Sequence, residues 1–290
     1  MNSDDPDLIP RDALDGITVG ISVSDSADLH RLGLDERHAD LAVGEITRAI
    51  LLAGGTIAYG GRLRPSGFTQ QLMNEVRRFG TTRQSLHLYV ALPEHTAMSR
   101  DDLDAIDRQL GIWGTLTTLD EQGEPTDWRE MTPSTSPLPD VQRAAAYSGL
   151  RRHMAENIDG RILVGGKLRG FLGEMPGVVQ ETILAVERGQ PVYLAGGFGG
   201  AAAAAARRLG AGTFDWLPPG LPEGEDDPAV QTALAQLEAA ASAAGWDLAN
   251  DGLTAERRAL LSASHRPGEI ASLCVGGLAV GSTNPTREAS

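Results

Sequence analysis

Cysteine is all but missing from this chain. Cys274 is the single thiol in 290 residues, so no disulfide can form within it, and the expected setting is a reducing cytoplasm. It sits in the apolar stretch IASLCVGGLAV, which makes it a buried, inert side chain. Long apolar runs are missing as well: nothing approaches the roughly 20 consecutive residues that a membrane-spanning helix needs. The beginning, MNSDDPDLIPRD, is acidic and polar where a signal peptide would be basic and then apolar. Positive charge is scarce. Against 39 acidic residues stand 25 basic ones, a formal net charge of −14, and Lys167 is the only lysine. That balance excludes the basic stripe with which a protein displaces counterions from nucleic acid. It leaves room for a small nucleotide, since a few backbone N–H groups and one or two arginines can hold a phosphate.

Other signatures are absent. The six histidines, at positions 30, 38, 87, 95, 153 and 265, show neither HExxH nor any paired spacing, so no metal site is expected, and no cofactor. No G-x-S-x-G elbow supports acyl transfer, no G-x-x-x-x-G-K-[ST] marks a P-loop, and no repeat or heptad array is visible.

What is present is an alternation. GITVGISVS, TIAYGG, SLHLYVAL, GRILVGG and PVYLAGG are short, β-branched and apolar, and read as strands. Between them lie segments of helical spacing: ERHADLAVGEITRAILLAGG, GFTQQLMNEVRRFG, SRDDLDAIDRQL with Ser99 as N-cap, DVQRAAAYSGLRRHMAENI, PGVVQETILAVERG and GGAAAAAARRLG. Residues 111–138, rich in Thr, Pro and acids, read as a surface excursion with room for one short strand. Beyond Pro228 the pattern is helical. The fold expected is α/β, a parallel sheet with helices on both faces plus a C-terminal helical extension. Residues 1–14 read as an acidic leader. The rest, 15–290, reads as a single domain with its core over about 15–215 and the extension over about 228–282.

In such sheets ligands bind beyond the carboxyl ends of the strands. Here four strands end alike, in GISVSDS, YGGR, VGGKLRG and AGGFGG. Glycine lets a phosphate or ribose approach main-chain N–H groups, and a helix starting there adds its positive end. GEMPGVVQE is such a strand-to-helix turn.

The order and spacing of YGGR, RRHM and GRILVGGK…G…PGVVQETILAVERGQPVYLAGGFGG resemble the SLOG superfamily over about residues 15–210. This Rossmann-like group includes the lysine-decarboxylase-like phosphoribohydrolases and the nucleotide sensors of prokaryotic defence. Within it the chain looks most like the TIR- and PNP-associating branch. The hydrolase signature P-G-G-x-G-T-x-x-E survives here as Gly177-Val178-Val179-Gln180-Glu181, with Val178 in place of the threonine and a longer loop before it. The arginine of the preceding helix falls by position at Leu150, one step from Arg151.

The strand ends together with the resemblance point to ligand contacts from Ser22, Ser24, Gly60, Gly61, Arg62, Gly165, Gly166, Lys167, Gly173, Pro176, Gly177, Glu181, Gly196 and Gly197. If the protein is an enzyme, Glu181 and Arg151 are its catalytic pair. Arg64 and Arg169 also follow strand-end glycines, and one of Arg151 and Arg152 is expected to point inward. Each has a plainer reading. Loop cations are commonly solvated, and a first-turn Glu181 would stabilise its helix by roughly 0.3–1 kcal/mol. The resemblance further implies a cytoplasmic homo-oligomer, with the Ala-rich helices at 200–208 and 229–244 as close-packed surfaces. It would bind an NAD-derived or cyclic ADP-ribose-like signal, without nucleic acid or membrane, and act through assembly or a separate effector. The alternatives are an N-ribosidic hydrolase and a structural oligomerisation unit.

Overall fold

A computed structural model describes residues 9–63, 67–80, 84–130 and 136–282. Its strands are β1 (Thr18–Ser24), β2 (Thr56–Gly60), β3 (Leu86–Val90), β4 (Gly114–Leu119), β5 (Pro125–Thr126), β6 (Gly160–Gly165) and β7 (Val192–Ala195). Its helices are α1 (Glu36–Leu52), α2 (Phe68–Phe79), α3 (Leu92–His95), α4 (Arg100–Leu110), α5 (Asp140–Glu156), α6 (Gly177–Glu187), α7 (Gly200–Arg208), α8 (Pro228–Ala244), α9 (Ala255–Ala263) and α10 (Pro267–Ser282). Local chemistry sets several boundaries. Asp35 closes a capping box with His38 at the start of α1, and Ser99 does so with Asp102 at the start of α4. Pro228 opens α8 and a left-handed Gly245 ends it.

The strands form one sheet in the order β5-β4-β3-β2-β1-β6-β7, parallel except for β5. The chain runs outward from β1 through β2, β3 and β4, then crosses back over α5 to β6 on the other side of β1. That reversal creates a topological switch point between β1 and β6, where Ser22 pairs with Leu163 and Ser24 with Gly165. The architecture is α/β and Rossmann-like, with a C-terminal run of helices.

Alternation along each strand divides the core. Ile162 and Val164 of β6 face the apolar sides of α1 and α10, whereas Leu163 faces α6, α7 and α8. The C-terminal helices therefore share the core of the sheet. Asp251, 1% exposed, takes two hydrogen bonds from Arg258, and Tyr193 of β7 donates to its carbonyl, which ties this region to the sheet edge.

Two expectations are corrected. The segment 111–138 is not merely a surface excursion. Gly114–Leu119 lies in the sheet beside β3, with Leu116 and Thr118 buried in alternation, and Thr118 donates to the Thr126 carbonyl of β5. The alanines of α7, Ala201 to Ala206, are 0% exposed within the chain itself. Their small side chains let α7 lie close against β6 and β7, so they offer no surface to a second copy. The stretch 229–244 is different, because α8 buries one face and exposes the other. No helix among the described residues is long and apolar enough to cross a membrane.

Candidate functional site

The carboxyl ends of β1, β2 and β6 meet above the switch point. Gly165 ends β6 and Gly166 follows it, with φ of +64° and +104°, a conformation that side chains rarely adopt. A side chain at Gly165 would meet the Ser24 carbonyl, and one at Gly166 would meet Val178 of α6 and Ala201 of α7. Both backbone groups of Gly166 are engaged: its N–H donates to Ser24 at 3.0 Å and its carbonyl accepts from Ala201 at 2.9 Å. These glycines let two helices and one strand end converge on one turn.

From that turn the chain passes Lys167, the left-handed and exposed Gly173 (φ +97°), and the buried Pro176, the N-cap of α6. Among the described residues no side chain caps α6. Its first-turn N–H groups, from Gly177 onward, have no intrahelical acceptor. Arg151 of α5 reaches over this end, and its guanidinium fills the space that a side chain at Gly177 would need. Its Nη1 donates to Gln180 Oε1 at 2.8 Å, and Gln180 donates in turn to Ser148 at 3.1 Å.

Glu181, one turn into α6, lies between two cations. Its Oε1 is 3.8 Å from Arg151 Nε and 3.8 Å from Arg161 Nη1. Arg161 is the second residue of β6 and is 0% exposed. Its Nη1 donates to Ser22 Oγ at 2.9 Å. Burial pushes both guanidinium groups below the usual arginine range, and the charge of Glu181 works against that push. Tyr59 of β2 lies beneath Gly61, whose missing side chain leaves room for its ring. Burial above all, and then the negative charge of Glu181, raises the Tyr59 phenol well above its ordinary value.

The structure thus brings together much of the expected set: Ser24, Gly60, Gly61, Gly165, Gly166, Pro176, Gly177, Glu181 and Arg151. It also resolves the choice on α5. Arg151 turns inward, Arg152 is exposed, and Leu150 is buried with Ala58, Tyr89 and Met154, packing against Gly60. The loop cations are placed otherwise than expected, because each faces an acid. Arg62 pairs with Glu94 at 3.6 Å, Lys167 with Asp25 at 3.6 Å and Arg169 with Glu223 at 2.7 Å. A phosphate recruiting any of them must compete with that partner. Arg64 lies outside the described residues.

Three expected contacts are corrected. Ser22 is 5% exposed and its hydroxyl serves Arg161. Gly196 and Gly197 are buried, and side chains there would strike the carbonyls of Ser262 and Ser264 at the end of α9. The end of β7 is closed further by Asp28, which accepts from Gly200 N at 2.7 Å and from Glu223 N at 2.8 Å. The first turn of α7 thus already holds an anion, and the crevice is built from three strand ends instead of four. A cleft of 240 Å³ continues it between the loops after β1 and β6, walled by Asp25, Ser26, Lys167, Arg169 and Glu223.

Sequence reasoning missed Arg161, Gln180 and the far wall, where Tyr147 donates to Glu94. Burial and that bond hold the Tyr147 phenol up at about 12. Arg161 alone left a signal: a cation one residue into an otherwise apolar strand, in register with Leu163 and the crevice face.

The family model of SLOG cluster2 matches residues 13–224, from the loop before β1 to the segment before α8. No curated protein matches the chain.

Proposed function

The chain belongs to the SLOG cluster2 family, and from that membership and the strand-edge geometry we propose that it binds a nucleotide-derived ligand at the β1–β6 switch point. In this reading the phosphate lies at the uncapped first turn of α6 beside Arg151, and Glu181 accepts hydrogen bonds from ribose hydroxyls. The backbone of Gly60 and Gly61 leaves space on the β2 side, and the cleft beside Lys167 takes the remainder of the ligand. The ligand class proposed is an NAD-derived or cyclic ADP-ribose-like signal, sensed in prokaryotic defence. A homo-oligomer or a separate effector would carry the output.

One observation carries binding over cutting. Glu181 sits between two guanidinium groups, each at 3.8 Å, so one negative charge faces two positive ones. That local excess of positive charge suits a phosphate ester. It opposes the positive charge that develops on a ribosyl ring as an N-glycosidic bond breaks. The hydrolase reading keeps one observation in its favour, which is that Arg151 and Glu181 do meet in the crevice. Thermal shift and base release, measured together over AMP, ADP-ribose, NAD and cyclic ADP-ribose, separate the two. Stabilisation without base release is the expected result. Release of base that Glu181→Gln abolishes would establish the hydrolase instead.

A further inference from the structure

Among the described residues Arg161 is the largest side chain wholly sealed from solvent, and the fold alone does not account for it. Of its donors, Nη1 bonds Ser22, while Nε and Nη2 have no acceptor among the described residues. Desolvating a guanidinium and leaving donors unmet is unfavourable, and aliphatic side chains of similar volume commonly fill such places with equal or greater stability. Among the described residues the carboxylate paired with it is Glu181, at 3.8 Å. Arg151 approaches the same oxygen, Oε1, from α5.

We propose that Arg161 is the positioning residue of the crevice: a sealed cation, oriented by Ser22, that holds the Glu181 carboxylate turned inward to receive the ligand. The inference rests on the ligand site argued above and adds to it a residue that touches no ligand. It also gives Ser22 its part, one step removed from binding.

Melting of Glu181→Gln, Arg161→Met and the double variant tests the coupling without any ligand. Glu181→Gln leaves two inward guanidinium groups facing a neutral amide, and its Tm should fall by roughly 6–12 °C. The double variant should recover at least half of that loss. Additive losses would overturn the proposal, since they would mean that Arg161 serves the fold independently of Glu181. A second arm measures affinity for ADP-ribose. Arg161→Met should weaken it by about 10- to 100-fold, the worth of one charge-assisted contact. Arg161→Lys, which keeps the charge, should recover most of it, and Ser22→Ala should fall between. Equal affinity for Arg161→Met and wild type would also overturn the proposal. The melting arm tests the coupling of Arg161 to Glu181 even where ADP-ribose does not bind, and the affinity arm tests whether that coupling serves the ligand. A wild-type chain that binds no nucleotide contradicts the proposed function instead.

Discussion

The guanidinium of Arg151 occupies the place that a side chain on Gly177 would fill. The missing side chain is therefore a condition for bringing a cation to the positive end of α6, where it adds to the helix field instead of balancing it. Such an arrangement is favourable when an anion joins the two.

Gly177→Ala should separate them. Gly177 does not adopt a positive φ and stands at the first position of α6, so alanine suits the backbone there. The added methyl must push the flexible Arg151 side chain aside. Affinity for AMP or ADP-ribose, by titration calorimetry, should weaken by about tenfold or more. Tm should stay within about 3 °C of wild type.

Arg151 and Arg152 are adjacent in sequence and opposite in consequence. Arg151→Ala should reduce nucleotide affinity by about 10- to 100-fold, through loss of a charged donor. Arg152 is exposed, and Arg152→Ala should leave affinity unchanged in the same titration. Equal effects from the two would mean that the inward assignment on α5 is wrong.

Asp28 holds the closed end of the sheet. Its carboxylate, 1% exposed, joins the first residue of α7 to Glu223 through two backbone N–H groups. Asp28→Ala should cost roughly 3 kcal/mol in denaturant unfolding, and Asp28→Asn less, since the amide oxygen can still accept one bond.

Alkaline stability follows from the groups kept neutral inside. Burial raises the Cys274 thiol far above its ordinary value, and the nearby charge of Asp251 adds to this. Tyr59 is raised by burial and Tyr147 stands at about 12. Each has a folded pKa above its unfolded one, so its contribution is intact below the unfolded value and is lost as pH rises toward the folded value. Unfolded thiols titrate near pH ~8.5 and phenols near ~10. Tm should be flat from about pH 7 to 8 and fall above about 8.5. In Cys274→Ala the first part of that fall should vanish, leaving the decline that begins near pH ~10.

Much of this molecule is legible from its residues. Ser99 with Asp102 marks the start of α4, the glycine pairs mark strand ends, and the spacing from Gly177 to Glu181 marks the turn into α6. The helices from Pro228 onward were legible from their apolar spacing. What escaped depends on contacts distant along the chain. Nothing local tells that Glu94 will answer Arg62, or that Glu223 will answer Arg169 across more than fifty residues. Gly196 and Gly197 looked like ligand glycines because close approach leaves the same mark whether the visitor is a phosphate or the carbonyl end of α9. The segment 111–138 had room for one short strand, but the place of β4 in the sheet was not legible, because GTLTTL alternates threonine with leucine and its burial becomes visible only beside β3.

The crevice itself is tested most directly by backbone hydrogen exchange, with and without saturating ADP-ribose or AMP. The account predicts slowed exchange at the amides of 60–62, 167–169 and 177–179. Protection absent from 177–179, or found only away from the ends of β1, β2 and β6, would contradict it.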